Sequence, residues 1–146
     1  MPLKLAGKKR EPAEEVYFHE YVEPHLRDGR IEYLGEVSHG EKVELLQDAR
    51  ATLFPVDWEE PFGLVMIESM ACGTPVIATR RGAVPEVIEH GRSGIIVDDY
   101  HDMVSVLAQA DELEPMELRR AAEERFSSGR MVADYVAAFE KAIASA

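Results

Sequence analysis

The sequence predicts an α/β fold: a doubly wound, parallel, Rossmann-like sheet within one domain. Three observations carry this. Short apolar runs alternate with segments of helical periodicity along the whole chain. The runs are bounded by glycine or proline. The length, 146 residues, suits a single domain at roughly 100–200 residues each.

The elements follow in order. Residues 3–6 are a short strand ending at Gly7, and Pro12 then suits the first turn of a helix with Val16, Tyr17, Tyr21 and Val22 as its apolar stripe. Residues 31–34 form a second strand closed by Gly35. Ser38 and Glu41 have capping-box spacing. They open a helix to about residue 49, with Val43, Leu45 and Leu46 inward. A third strand spans 51–55, a helix 63–72 with Gly73 just past its end, and a fourth strand 75–78. Pro85 starts a short helix to about residue 90, and 94–97 is a fifth strand. Helices over about 101–110, 115–126 and 130–145 complete the chain. The last carries Met131, Val132, Tyr135, Val136, Phe139 and Ile143 on one face. Parallel strands joined through helices imply a ligand beyond the carboxyl ends of the strands.

Composition narrows the function. With 16 basic and 28 acidic residues the net charge is −12, which argues against nucleic acid or an anionic membrane held by bulk charge. A hydrophobic fraction of 46% is ordinary for a packed core. The longest uncharged apolar stretches, 64–67 and 94–97, are far too short for a membrane span. One cysteine excludes an internal disulfide. The first ten residues lack the apolar core of a signal peptide, so the expected compartment is the cytoplasm.

Chemistry concentrates in Trp58-Glu59-Glu60-Pro61-Phe62-Gly63-Leu64 and the helix that follows. Gly63 lies where loop becomes helix and lets a ligand approach the backbone. The first N–H groups of a helix are unpaired and partly positive, which suits phosphate. A plain strand-to-helix turn fits the same pattern. Glu68, flanked by Ile67 and Ala71, is a carboxylate in apolar surroundings that needs hydrogen-bond donors. The diol of a ribose supplies two, and so does a nearby backbone. Glu59 and Glu60 are equivalent on spacing alone. A paired-carboxylate glycosidase is disfavoured, because the helix N-terminus suits a phosphate leaving group better than a neutral alcohol.

The run Glu60-Pro61-Phe62-Gly63-Leu64-Val65-Met66-Ile67-Glu68 closely resembles the E-x(7)-E signature of retaining family-four glycosyltransferases, the glycosyl transferase group 1. Ser69 to Ala78, Gly82-Ala83-Val84-Pro85-Glu86-Val87-Ile88 and His90 to Val97 also resemble that family, in the same order, so the resemblance covers about residues 3–143. It implies one half of a GT-B architecture, the carboxy-terminal domain that binds a nucleotide diphosphate sugar. It implies that Glu60 contacts donor-sugar hydroxyls and stabilises positive charge at the anomeric carbon. The N–H groups of Phe62, Gly63 and Leu64 would meet sugar hydroxyls or diphosphate, and Glu68 the ribose hydroxyls. The loop after the second strand would hold the base, through the Val37 backbone and more weakly Lys42. Transfer with retention would need no metal and no cofactor, leaving-group charge being met by the helix dipole and basic side chains.

The resemblance also implies parts without counterparts in these residues. One is an upstream strand–turn–helix unit bearing an Arg and a Lys for the diphosphate. The other is the amino-terminal acceptor domain, a partner needed for transfer. The local cations on offer are Lys8, Lys9, Arg10, Arg80 and Arg81. The first and third strands would flank a gap, and the apolar stripe of the last helix makes self-association an expectation. Alternatives are a non-catalytic, truncated nucleotide-binding or interaction module, and a two-domain epimerase, which the E-x(7)-E loop disfavours. The five histidines lack metal-ligand spacing. Asp98-Asp99 suits a helix N-cap, Cys72 reads as packing, and Trp58 either braces the loop or lines the cleft.

Overall fold

The computed structural model describes residues 2–145, so Met1 and Ala146 of the expected domain lie outside the described residues. The chain forms two compact units, with the boundary between Lys42 and Val43.

In the first unit β1 (Leu3–Ala6) runs parallel to β2 (Ile31–Gly35), Leu3 opposite Ile31 and Leu5 opposite Tyr33. The expected single helix between them has three parts: α1 (Pro12–Tyr17), a π-helical turn (Phe18–Val22) and α2 (Glu23–Leu26). Pro24 explains the turn. It has no N–H for the carbonyl four residues back, and its ring crowds that carbonyl. The Glu23 amide donates instead to the Phe18 carbonyl, five residues back. Of the expected stripe, Val22 is half-buried, but Val16, Tyr17 and Tyr21 are exposed; with the wider turn it is Phe18 and Leu26 that join Val22 as half-buried positions. Phe18 packs on Tyr33 with ring centroids 4.5 Å apart, and the Tyr33 hydroxyl donates to the Gly7 carbonyl at 2.7 Å. The capping box forms as expected. The Glu41 carboxylate accepts from the Ser38 amide at 2.7 Å, and the Ser38 hydroxyl accepts from the Glu41 amide at 3.3 Å. Hydrogen bonding from the Ser38 side chain, and then from the Ser38 amide, holds the Glu41 carboxyl below its usual range. The box opens α3 (His39–Gln47), within which the unit boundary falls.

The second unit is doubly wound. Its parallel sheet has the order β3 (Thr52–Phe54), β4 (Val76–Thr79), β5 (Gly94–Val97), with Thr52 opposite Val76 and Ile77 opposite Ile95. Every residue of β4 and β5 is buried, as a strand covered on both faces requires. Alternation sends Val76, Ala78 and Ile96 into a cluster with Met66, Met70 and Leu118, and Ile77, Ile95 and Val97 into another with Met103 and Ala110. The first cluster joins the sheet to α4 (Leu64–Ala71), α5 (Val84–Val87) and α7 (Pro115–Phe126). The second faces a 3₁₀ segment (Tyr100–Val104) and α6 (Leu107–Ala110), which replace the single helix expected over 101–110. The strands are parallel as expected and form two ladders, β1–β2 and β3–β4–β5, rather than one continuous sheet; the division separates the first and third strands, where the resemblance implies a gap.

Helix α8 (Ser128–Ala144) begins at Ser127, whose hydroxyl accepts from the Arg130 amide at 3.4 Å. None of its described residues is buried, and the stripe from Met131 to Ile143 is 50–77% exposed. Among the described residues no helix is long and apolar enough to cross a membrane.

Candidate functional site

The site is built on residues 55–63, between β3 and α4. Its base is fixed by Val56, buried in the core, whose carbonyl accepts from the Thr79 hydroxyl at the end of β4 at 2.6 Å. The chain then turns tightly, and the Glu60 amide donates to the Trp58 carbonyl at 2.9 Å. Such a three-residue turn puts the outer two side chains on one side and the central one on the other. Trp58 and Glu60 accordingly meet: the indole Nε1–H donates to Glu60 Oε2 at 3.0 Å. Glu59 turns the other way and accepts the Gly82 amide at 2.8 Å. This separates two carboxylates that spacing leaves equivalent.

Glu60 Oε1 lies on the start of α4. It accepts the Gly63 amide at 3.0 Å and the Phe62 amide at 3.4 Å, where the helix dipole favours a negative charge. Two of the three N–H groups expected to meet a sugar or a diphosphate, those of Phe62 and Gly63, therefore donate to Glu60. Gly63 has φ +75° and ψ +64°. A Cβ there would lie 2.5 Å from Met66 Cε and 3.3 Å from the Phe54 ring, so both backbone and core demand glycine. The Phe62 ring meets Phe126 edge-on at 6.1 Å.

Leu64, 67% exposed, and Glu68, half-buried, stand one turn apart on the same face of α4. The opposite face, Met66, Ser69 and Met70, is wholly buried. The Ser69 hydroxyl donates to the Thr74 carbonyl at 2.9 Å and lies 2.7 Å from the Thr52 hydroxyl, tying α4 to β3 and to the turn before β4.

A second loop, between β4 and α5, clamps the first. The Ala83 amide donates to the Glu60 carbonyl at 2.8 Å, beside the bond from the Gly82 amide to the Glu59 carboxylate. Gly82 has φ +48°, and a Cβ on it would overlap the backbone N and O of Glu60. Sequence reasoning assigned no role to Gly82 or Ala83 in holding Glu60. Their only signal was a glycine just past a strand end, which does not name its partner.

In the first unit, Val37 is half-buried between β2 and α3, and the Lys42 amide lies in the first turn of α3, donating to the Ser38 carbonyl at 2.9 Å. Of the candidate cations there, Lys8 pairs with Glu36, and the Lys9 ammonium stands 4.0 Å from the Phe18 ring centroid. In the second unit Arg80 pairs with Asp98 at 2.8 Å. The Arg81 guanidinium donates to the Arg80 carbonyl at 3.1 Å. Asp99 caps the 3₁₀ segment by accepting the His101 amide at 2.8 Å, as expected, and His90 Nδ1 accepts the Ile96 amide at 3.0 Å. Among the described residues no group of three or more His, Cys, Asp or Glu side chains is arranged to hold a metal.

Comparison with known proteins adds four findings. The sequence model of the family described as "Glycosyl transferases group 1" matches residues 2–127. The chain is 31% identical over 123 residues to a sucrose synthase of Solanum tuberosum, covering 82% of this chain and 15% of that protein. It is 34% identical over 119 residues to N-acetyl-alpha-D-glucosaminyl L-malate synthase of Bacillus anthracis, covering 76% of this chain and 30% of that one. Its structure superposes on Anabaena HepE, solved with UDP and glucose, with a TM-score of 0.78 at 22% identity, over 94% of this chain and 40% of HepE. The chain thus spans well under half the length of these relatives.

Proposed function

The chain belongs to the group 1 glycosyltransferases, with the fold of one half of a GT-B architecture, and from that premise we propose that it binds the nucleotide diphosphate sugar for transfer to an acceptor. The supporting observation is the Glu60 carboxylate seated on the amides of Phe62 and Gly63 at the head of α4, eight residues before Glu68. A carboxylate has about four acceptor positions on two oxygens. Trp58, Phe62 and Gly63 use three, which leaves capacity for a donor-sugar hydroxyl.

In this reading Glu60 holds the sugar and stabilises positive charge as the anomeric bond to the diphosphate lengthens. The start of α4, from Phe62 to Leu64, and local cations such as Arg81 accept the growing charge on the diphosphate. Glu68 receives the ribose hydroxyls, and the Val37 backbone with Lys42 serves the base. The acceptor attacks on the face from which the diphosphate departs, so configuration is retained. The reaction is metal-independent and needs no cofactor. A separate acceptor-binding domain completes the enzyme, and this chain alone is inactive in transfer.

The test is titration of UDP and GDP against the chain and its Glu68→Ala variant. Losing hydrogen bonds between ribose and a charged carboxylate weakens binding by about 1–3 kcal/mol. Equal affinity of the two proteins for both nucleotides overturns the ribose assignment.

A further inference from the structure

Trp58 is a large aromatic residue left 61% exposed, so core packing does not account for its place. Its polar atom does. The indole Nε1–H is a donor with no acceptor capacity, and it is spent on Glu60 Oε2 at 3.0 Å. The other oxygen, Oε1, is held from the opposite side by the Gly63 and Phe62 amides. With donors on one oxygen only, the carboxylate can pivot about that oxygen. With both oxygens held, its plane is set. The tight turn bonds the Glu60 amide to the Trp58 carbonyl, the two side chains meet across it, and the bonds that Glu59 and Glu60 accept from the β4–α5 loop fix that turn.

We propose that Trp58 is a positioning residue: its indole N–H orients the Glu60 carboxylate for the donor sugar. The inference rests on the role assigned to Glu60 in glycosyl transfer. The indole acts on the geometry of the carboxylate and not on nucleotide affinity, because the ribose is assigned to Glu68 on α4. Its loss therefore lowers the rate of the chemical step and leaves nucleotide binding in place.

The contact is read first without any ligand. The chain has one tryptophan, so its indole N–H gives a single cross-peak in a ¹H–¹⁵N spectrum. Glu60→Ala moves that peak by several linewidths, and Glu59→Ala moves it far less. A peak indifferent to Glu60→Ala overturns the proposal. The role is read in transfer, with the chain completed by the acceptor-binding domain proposed above. There Trp58→Phe, which keeps a ring and removes the donor, lowers kcat about tenfold, as loss of one hydrogen bond to a charged group does. Donor KM, UDP affinity and Tm stay unchanged, and Trp58→His, which returns a ring N–H, recovers part of the rate. An unchanged kcat, or a loss of UDP affinity and Tm in step with kcat, overturns the positioning role. Failure of the underlying functional reading is distinct: the wild-type chain then binds neither UDP nor GDP, whatever the indole peak does.

Discussion

Gly82 lies against Glu60 so closely that a β-carbon on Gly82 would overlap the Glu60 backbone. The amides of Gly82 and Ala83 also bond to Glu59 and Glu60. A glycine on one loop thereby sets the height of a carboxylate on another. Gly82→Ala adds both a collision with main chain, which cannot swing aside, and a left-handed φ of +48° on a residue with a side chain. The variant loses about 1–3 kcal/mol of stability, measurable by urea denaturation. Its indole cross-peak shifts as well, because the Trp58–Glu60 turn moves.

Glu59 and Glu60 are adjacent, and their Gln variants separate them. The Gly82 amide needs only an acceptor oxygen, which Gln supplies, so Glu59→Gln changes stability by under about 0.5 kcal/mol. Glu60→Gln removes the negative charge from the head of α4, and with it the charge assigned to stabilise the anomeric centre. On the proposed function, transfer by the chain completed with an acceptor domain falls at least about a hundredfold, the scale of losing one electrostatic stabiliser, while UDP affinity is kept. Steady-state kinetics beside UDP titration checks this.

Ser69 is fully buried and joins three elements through its hydroxyl. Ser69→Ala leaves the Thr74 carbonyl and the Thr52 hydroxyl each short of a partner. The expected loss is about 1–3 kcal/mol, read as a lower urea midpoint at unchanged slope.

Arg50 and Asp111 form a two-pronged ion pair, Arg50 Nε donating to Asp111 Oδ1 at 2.7 Å and Nη2 to Oδ2. The hydrogen bonds from Arg50 hold the Asp111 carboxyl below its ordinary value of 3.8. A lowered native pKa adds stability that is present above the ordinary value and is lost as pH falls through the native one. Arg50→Met therefore destabilises the chain at neutral pH, and the difference from wild type vanishes in strong acid. Urea midpoints measured from pH 7 down to pH 2 follow this course.

Phe139 on α8 is 64% exposed. Phe139→Ser changes stability by under about 0.5 kcal/mol, yet it breaks an apolar stripe long enough to drive association. The expected outcome, if the stripe drives association, is concentration-dependent light scattering by the wild-type chain and less by the variant.

The alternation of apolar runs, the capping box at Ser38 and Glu41, the caps at Asp99 and Gly63, and the place of the site before α4 were legible in the sequence. Each depends on neighbours a few residues apart, and local backbone geometry obeys local sequence. The E-x(7)-E segment is likewise continuous, so its family was legible too. Tertiary structure decided the rest. It split the strands into two ladders, because pairing depends on which edges meet. It kept Val22 in the first helical stripe but put Phe18 there in place of Val16, Tyr17 and Tyr21, because Pro24 forces a five-residue bond that periodicity does not foresee. Above all it gave Glu60 and Glu59 different partners. That difference rests on the indole of Trp58, the amides of Phe62 and Gly63, and a glycine more than twenty residues away on another strand's loop. Hydrogen-bond partners remote in sequence become neighbours only when the sheet brings the carboxyl ends of β3 and β4 together.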